Sequence, residues 1–396
     1  MRINSLLLHL AIYAALLSSC ASPAAINTST PEPTHAMATR TPFLPVSETP
    51  SPPSATPSIT PSITETPTLA DTATVTDTAT PTPTGTPTPS LLVNLAAVGD
   101  IMLARSVGDQ VHARGPEIVF AGVQSALDSA DLLVGNLECA LTSGGDPQPK
   151  SFTFAASPET AKSLGFAGFD VLSLANNHAM DFGIPGLLDT LDNLKKSGIS
   201  GLGAGRNASE AHAPVILERN GLRVAFLAYA DVPVETTGFD VRSWMATSSQ
   251  PGIAWADLNL ITSDVIAAKK QADVVVVLLH AGYEVNAYVP PVSANQRKEA
   301  YAAIDAGAYL VIGSHSHILE AIEKYHGGLI AFSLGNFVFD NYLGIANSTI
   351  ILHVVLTPAG VQSYNWIPVL IENGLPRLAA KYEVPSIATL VAPVTP

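Results

Sequence analysis

Side chains that can bind a metal ion or transfer a proton follow five separate apolar runs of the sequence. In chain order they are Asp100, Asn136 with Glu138, the triplet Asn176, Asn177 and His178, then His280, and finally His315 with His317. Carboxylates, amide oxygens and imidazoles together suit borderline divalent ions such as Zn, Mn or Fe rather than calcium. Two such ions that share one carboxylate activate a bridging water and neutralise charge on a phosphate group. The residue types therefore predict one or two divalent ions, with phosphoryl transfer as the chemistry.

Each of these features also has a simpler interpretation. A single aspartate after a strand, such as Asp100, commonly belongs to a turn or a helix cap. A single histidine such as His280 commonly forms a hydrogen bond at the rim of a sheet, and the two asparagines in "LSLANNHAMDFG" (172–183) are common turn residues. The whole set favours a functional site, because five strand ends rarely terminate in compatible ligands by chance.

Ten predicted strands alternate with helical segments and would have to position these side chains. The predicted strands are 92–99, 131–138, 170–176, 213–220, 223–230, 273–280, 309–314, 329–335, 348–356 and 361–370, and the predicted helices are 116–130, 158–164, 185–196, 258–271 and 294–306. Strand–helix alternation followed by strands joined through short turns is typical of an α/β domain with mixed sheets. Because ligands bind at the carboxyl ends of strands in α/β sheets, the five strand ends are expected to converge on one crevice.

The segment "HSH" places His315 and His317 two residues apart. Residues i and i+2 of an extended segment project to the same side. We therefore predict an extended segment that aims both imidazoles at one point.

The first ninety residues differ in composition from the rest of the chain. Arg2 precedes the apolar run "LLLHLAIYAALL", which is short for a membrane span, and "LSSC" ends at Cys20. This pattern resembles a bacterial lipobox, in which Cys20 carries the lipid; an ordinary signal peptide cut elsewhere and an uncleaved anchor are the alternatives. Residues 21–90 hold 15 of the 31 prolines, interleaved with Thr and Ser, which predicts a disordered stalk.

These features predict an extracytoplasmic lipoprotein held at the membrane of a bacterial cell surface. We expect a signal peptide over 1–20, a linker over 21–90, one domain over 91–375 and a tail over 376–396. The net charge of −14 argues against nucleic acid as a partner, because phosphate binding requires clustered Lys and Arg. Only one cysteine besides Cys20 exists, Cys139, so the domain must rely on its core and on metal rather than on a disulfide.

Six motifs in order resemble the CapA family of capsule-synthesis proteins, which is associated with poly-γ-glutamate. They are "VGDIML", "GNLECALT", "LANNHAMDFG", "HAGYE", "GSHSHILEAIEKY" and "FSLGNFVFD". The resemblance runs from about Val93 to about Val369 and covers nearly the whole globular part. It implies the calcineurin-like metallophosphoesterase superfamily, whose fold is a pair of packed mixed β-sheets flanked by helices.

The resemblance also implies a role for each matching residue. The implied metal ligands are Asp100, Glu138, Asn177, His280, His315 and His317. His178 would stabilise the phosphate and protonate the leaving group, a task that suits an imidazole with a reference pKa of about 6.5. Two positions depart from the superfamily pattern. Met102 stands where the first motif, Asp-x-His, has its second ligand, and Glu138 stands where the bridging residue is an aspartate. Both departures bear on whether two ions are held.

Four further residues have two interpretations each. Asp181 either orients His178 or caps the following helix. Glu284 either supports the metal site and the substrate or is a solvated loop carboxylate. Asn336 in "SLGNF" either shapes the substrate pocket or serves a turn. Cys139 is expected to be a small buried residue rather than a nucleophile, because no base partner is evident.

Three functions are compatible with the sequence. The first is a metal-dependent hydrolase that acts on a phosphoester or another linkage of an envelope polymer. The second is a non-catalytic accessory subunit of a membrane polymer synthase, and the third is a module that binds an anionic capsule polymer. Met102 favours the second and third, whereas the pair Asn177–His178 and the segment "HSH" favour the first.

Overall fold

The computed structural model of the chain describes residues 91–235, 238–284, 288–340 and 342–391. The predicted signal peptide with its lipidation site Cys20 and the predicted linker 21–90 lie outside the described residues, as do the last five residues. The described ranges thus belong to the predicted domain 91–375 and to the first part of the predicted tail.

The described residues form strands of two to thirteen residues. From the first to the tenth they are β1 (Val93–Ile101), β2 (Leu132–Leu137), β3 (Ala140–Leu141), β4 (Ala155–Ala156), β5 (Val171–Ser173), β6 (Ser200–Leu202), β7 (Ala204–Gly205), β8 (Val215–Arg219), β9 (Leu222–Asp231) and β10 (Gly252–Ile253). The remaining described strands are β11 (Val274–Ala281), β12 (Leu310–Ser314), β13 (Ile322–Tyr325), β14 (Gly328–Ala331), β15 (Asn336–Val338), β16 (Ser348–Thr357), β17 (Gly360–Glu372) and β18 (Leu375–Leu378).

Helices connect many of these strands. The α-helices are α1 (Arg105–Arg114), α2 (Gln124–Leu127), α3 (Ala161–Ala167), α4 (Gly183–Lys196), α5 (Ala208–Ala211), α6 (Leu258–Lys269), α7 (Ala294–Ala306) and α8 (Val384–Leu390). Single 3-10 turns lie at Pro116–Ile118, Pro158–Thr160, Val241–Trp244 and Gly344–Asn347. Within the described ranges, no helix is both long enough and apolar enough to cross a membrane.

Two mixed sheets carry the fold. The larger sheet has the strand order β18–β17–β16–β1–β2–β5–β6, and β15 pairs with the end of β1. Strands β1, β2, β5 and β6 are parallel, whereas β16, β17 and β18 are antiparallel to their neighbours. The second sheet has the order β13–β14–β12–β11–β9–β8, with parallel pairing from β9 to β14 and an antiparallel strand at each edge.

Alternation along the strands of the second sheet separates its two faces. Val274, Val276 and Leu278 of β11 belong to the core shared with the larger sheet, whereas Val275 and Val277 belong to a second core formed with α6 and α7. Successive side chains of a strand point to opposite faces, so a strand that is apolar throughout must be covered on both sides. The predicted pair of packed mixed β-sheets flanked by helices is confirmed.

The predicted elements agree with the structure where local signals are strong. Helix α7 covers the predicted 294–306, because Ser293 and Gln296 form a capping box and Gly307 adopts a left-handed conformation at the C-terminus. The predicted helix 116–130 is wrong as one element, since it consists of a 3-10 turn and the short helix α2. The predicted strand 329–335 ends at Ala331, and α1 was not predicted.

Part of the predicted tail belongs to the sheet. Strand β18 extends to Leu378 and pairs with β17, and Ile387 of α8 is fully buried in the core that the two sheets share. The structure therefore continues as folded chain past residue 375, at least as far as α8.

A buried carboxyl group makes the stability of the fold depend on pH. Glu299 of α7 is 5% exposed, and burial together with the nearby charge of Asp231 raises its pKa to about 9. An unfolded glutamate has a pKa of about 4.3, so between these two values the folded state binds more protons than the unfolded state. The contribution of Glu299 to stability is therefore present at low pH and is lost as the pH rises through this window.

We predict that Glu299→Gln is more stable relative to the parent at pH 8 than it is relative to the parent at pH 5. The free energy of unfolding of the parent should fall from pH 5 to pH 8. This fall should be about 1–3 kcal/mol smaller in the variant. Urea unfolding at several pH values measures it, with Glu218→Gln at an exposed position of β8 as control. Parallel pH curves for the parent and Glu299→Gln would contradict the prediction.

Candidate functional site

The ends of strands from both sheets meet at one buried cluster. Asp100 lies near the end of β1, Glu138 follows β2, and His280 lies near the end of β11. One ligand atom from each of these three residues lies within 4.8 Å of those of the other two, and all three side chains are at most 1% exposed. The structure thus brings together residues that are far apart in sequence, at the edge where strand ends were expected to converge.

A close backbone approach positions Asp100. A side chain at Gly99 would meet the carbonyl oxygen of Gly335 at 1.8 Å, so only glycine allows this packing. The amide of Asp100 donates to the same carbonyl at 2.9 Å. Asp100 therefore lies where β1 and the turn before β15 meet.

The amide of Asn136 lies at the centre of the cluster. Its Nδ2 donates to Asp100 Oδ1 at 2.8 Å and lies 3.4 Å from Glu138 Oε2, and its Oδ1 accepts from Asn176 Nδ2 at 3.0 Å. Asn176 Oδ1 in turn accepts from the amide of His178 at 2.9 Å. Asn136 and Asn176 therefore act as a buried link between the carboxylates and the segment that carries Asn177 and His178.

Burial shapes the electrostatics of this cluster. It raises the pKa of Glu138 well above its usual range, and the neighbouring charge of Asp100 raises that pKa further. Burial likewise raises the pKa of Asp100, against the attraction of His317. The pKa of His280 lies well below its usual range because of burial and the nearby His315, and burial lowers that of His315 to about 3. The lowered pKa values of His280 and His315 favour the neutral imidazole, which is the form that binds a metal ion.

The residues of this cluster fit a divalent ion. Glu138 Oε1 and His315 Nδ1 are buried and have no hydrogen-bond partner among the described residues. Asn177 Oδ1 lies 2.9 Å from His280 Nε2, close to the separation of about 3 Å between adjacent ligands that each lie about 2.1 Å from one ion. The donors are two carboxylates, one amide oxygen and three imidazoles, which suit Zn, Mn or Fe.

Two of the imidazoles make a polar contact through Nδ1. His280 Nδ1 lies 2.9 Å from Ser314 Oγ, and His317 Nδ1 lies 2.8 Å from Asn336 Oδ1. Metal-binding histidines commonly use their second nitrogen in this way, because the contact sets the ring orientation. Both rings therefore have the support that ligands require.

The expectation of an extended "HSH" segment is wrong. His315 and His317 have φ values of 98° and 59°, so both residues lie in the left-handed region and the segment turns after β12. This conformation is costly for a side chain other than glycine and is characteristic of functional sites. The positive φ values show that a turn, not the alternation of a strand, brings both rings to the cluster, where their centroids are 6.3 Å apart.

His178 and Asp181 form a buried pair beside the cluster. His178 Nδ1 lies 2.7 Å from Asp181 Oδ2, which also accepts from the amide of Phe154 at 2.7 Å. The Phe154 ring stacks on the imidazole with centroids 4.3 Å apart, and His178 Nε2 points toward Glu138 Oε1 at 3.9 Å. Of the two interpretations of Asp181, the structure places it as the partner of His178 and not as a helix cap.

Lys150 and Glu235 join this network and were missed from the sequence. The ammonium group of Lys150 is fully buried between Asp181 Oδ1 at 2.8 Å and Glu235 Oε1 at 2.6 Å, and it also donates to the carbonyl oxygen of Asn177. Glu235 Oε1 accepts from Asn177 Nδ2 at 3.0 Å, which turns the amide oxygen toward His280. Lys150 lies in an irregular loop without a motif or a periodic pattern, so no sequence signal indicated it.

Glu284 and Asn336 occupy different environments. Glu284 is 42% exposed at its side chain, and its Oε1 lies 3.6 Å from His317 Nε2, at the open side of the cluster. Asn336 is fully buried, and its amide is used by His317 and by the carbonyl of Ala346. Asn336 therefore supports His317 and does not reach solvent, and its expected substrate-binding role stays a prediction.

Met102 and Cys139 are both buried in the core. Met102 Sδ accepts from the amide of Ala104 at 3.1 Å. The position where the superfamily pattern has a second ligand is therefore occupied by a side chain packed in the apolar core. Cys139 is fully buried, and burial raises the pKa of its thiol to about 12. A protonated thiol is a poor nucleophile, so the expectation of a small buried residue agrees with the structure.

Two mixed sheets that deliver carboxylate, amide and imidazole groups to one buried cluster define an α/β protein with a candidate metal centre. The chain belongs to the family described as "Bacterial capsule synthesis protein PGA_cap", whose model matches residues 94–341. It is 33% identical over 293 residues to the "PGA biosynthesis protein CapA" of Bacillus subtilis, covering 73% of this chain and 74% of that protein. The resemblance to capsule-synthesis proteins is thus confirmed.

Two further comparisons are more distant. The "Probable polyglutamine synthesis accessory protein" of Mycobacterium tuberculosis is 30% identical over 225 residues, covering 55% of this chain and 57% of that protein. A crystal structure described as a novel phosphatase of Mycoplasma pneumoniae superposes with a TM-score of 0.46 at 11% identity, covering 70% of this chain and 94% of that chain. Family membership rests on the family model and on the Bacillus relative.

We predict that Lys150→Met lowers the free energy of unfolding by about 3–5 kcal/mol, because it leaves the buried Asp181 and the partly buried Glu235 without their cation. Chemical denaturation measures the change. Arg206→Met is the matched control: Arg206 also pairs with two carboxylates, but both partners are about half exposed. It should cost less than about 1 kcal/mol. Equal losses in the two variants would contradict the prediction.

Proposed function

We propose that this protein acts outside the cytoplasm, held at the membrane by a lipid on Cys20, in the assembly or export of an anionic capsule polymer such as poly-γ-glutamate. Its centre binds one or two divalent ions and hydrolyses a phosphoester or another linkage of an envelope polymer. The observation that carries the proposal is the His178–Asp181 pair, whose free imidazole nitrogen points at a buried set of metal-binding side chains. The names of the Bacillus and Mycobacterium relatives support the polymer context.

Different residues of the chain would bind the ions and transfer the proton. Glu138, Asn177, His280 and His315 would hold one ion, and Asp100 with His317 would contribute to a second. A bound divalent ion supplies Lewis-acid polarisation and a water of lowered pKa. His178 then donates its Nε2 proton to the leaving group, and Asp181 holds the ring through Nδ1 and stabilises the imidazolium.

A second candidate function is a non-catalytic accessory subunit of a membrane polymer synthase. Met102 favours it, because a methionine packed in the core offers no ligand where the superfamily pattern has a histidine. In that case the centre would bind the polymer without cleaving it.

We predict that His178→Ala retains bound metal and loses turnover. The full chain reconstituted with Mn, Zn or Fe should contain at least one ion by elemental analysis. Loss of a general acid typically costs about 10²- to 10⁴-fold in rate, measured on a chromogenic phosphodiester and on γ-glutamyl oligomers.

The control for this prediction is His326→Ala. The His326 side chain is 66% exposed, so its removal should change neither the metal content nor the rate of turnover. No divalent ion after reconstitution would overturn the metal centre. If the protein binds metal and His178→Ala leaves capsule output unchanged, the accessory function is favoured.

We predict that Cys20→Ser releases the protein from the membrane fraction, because lipidation supplies the anchor. Fractionation of cells and incorporation of a labelled fatty acid measure the change. Cys139→Ser is the matched control, since it removes the only other cysteine and leaves the anchor in place. Continued membrane association of Cys20→Ser without label would indicate an uncleaved apolar anchor instead.

A further inference from the structure

Two cavities reach the candidate metal centre from different sides. The first, about 670 Å³, touches the centre through Asn177 and His315. The second, about 430 Å³, touches it through His178 and His317. Glu284 lines both cavities, so they adjoin at the open side of the centre. We call them the first arm and the second arm.

Each arm carries apolar side chains that are exposed to solvent. Tyr283 and Tyr288 in the first arm are 55% and 61% exposed, and Phe152 and Leu343 in the second arm are 64% and 82% exposed. Exposed apolar groups that collect around a concave site commonly mark a binding surface. Both arms carry such side chains, so each offers a binding surface.

The second arm also offers a group that recognises carboxylates. Arg105 lies over the Phe154 ring, with its guanidinium carbon 4.6 Å from the ring centroid, and it pairs with Asp340. Its Nε is buried without a hydrogen-bond partner among the described residues. A guanidinium held on an aromatic face binds planar carboxylates well. The first arm ends on Glu235, which pairs with Lys150, and Lys150 also pairs with Asp181.

We propose that the two arms form one continuous groove that binds an internal segment of a carboxylate-bearing polyamide chain, rather than a chain end. The inference rests on the proposed function, which supplies the polymer, and adds how the polymer lies. The chain crosses the centre beside Glu284, with flanking units on the aromatic side chains of both arms. A carboxylate of the segment in the second arm contacts Arg105.

The experiment measures binding of γ-glutamyl chains to the metal-loaded full chain by fluorescence anisotropy. It compares a dodecamer with a dimer, and a free dodecamer with one whose two ends are capped by acetyl and amide groups. The dodecamer should bind about tenfold more tightly than the dimer, because only the longer chain fills both arms. Capping should change the affinity by less than about twofold, since an internal segment presents no end.

Truncation of one side chain in each arm completes the test. Tyr288→Ala and Leu343→Ala should each weaken dodecamer binding by about fivefold to tenfold and leave dimer binding unchanged. Because both side chains are exposed, neither change threatens folding. The matched controls are Tyr382→Ala and Ile266→Ala, at exposed positions outside both cavities, and they should have no effect.

Three results would overturn the inference. One is a loss of about tenfold or more on capping, which would show a site for chain ends. The second is an effect of only one arm variant, which would show a single binding arm. The third is equal affinity for dimer and dodecamer, or no binding of either. The metal content and turnover of the parent are measured separately. Failure of the groove inference can therefore be told apart from failure of the proposed function.

Discussion

The burial of two carboxylates at one point constrains the rest of this structure. Asp100 and Glu138 are fully buried, and burial raises the pKa of each. Two carboxyl groups are tolerated in a core only when donors and cations surround them. Here the donors are Asn136 and the backbone amide of His315, and Glu138 Oε1 has no hydrogen-bond partner among the described residues.

This requirement explains why two sheets are needed. Parallel strands of the larger sheet deliver Asp100 and Glu138, and parallel strands of the second sheet deliver His280 and the turn with His315. Neither sheet carries the complete set of candidate ligands. Because the inner faces of the sheets share one apolar core, packing energy from residues far from the centre holds the two half-sets together.

A second network ties the candidate metal ligands to His178. Lys150 contacts Asp181, Glu235 and the backbone of Asn177, so one buried cation links the support of His178 to the orientation of the Asn177 amide. The desolvation cost of burying such a charge is offset by three partners, and this rigidity suits a site that must be preorganised. The same loops form the walls of the groove on the open side.

Much of this protein follows from local sequence alone. Apolar runs, helix caps such as Ser293 and the polar residues after each strand determine the α/β class, helix α7 and the membership of the cluster, because these signals act over a few residues. The partners of those residues are determined by the tertiary structure. Lys150, Glu235 and the support of His317 by Asn336 depend on loops that meet only after the sheets pack, and the left-handed turn at His315 and His317 replaces the extended segment that spacing predicted. Sequence determines which groups are present at the ends of strands, whereas distances across space, set by the packing of two sheets, decide which groups touch.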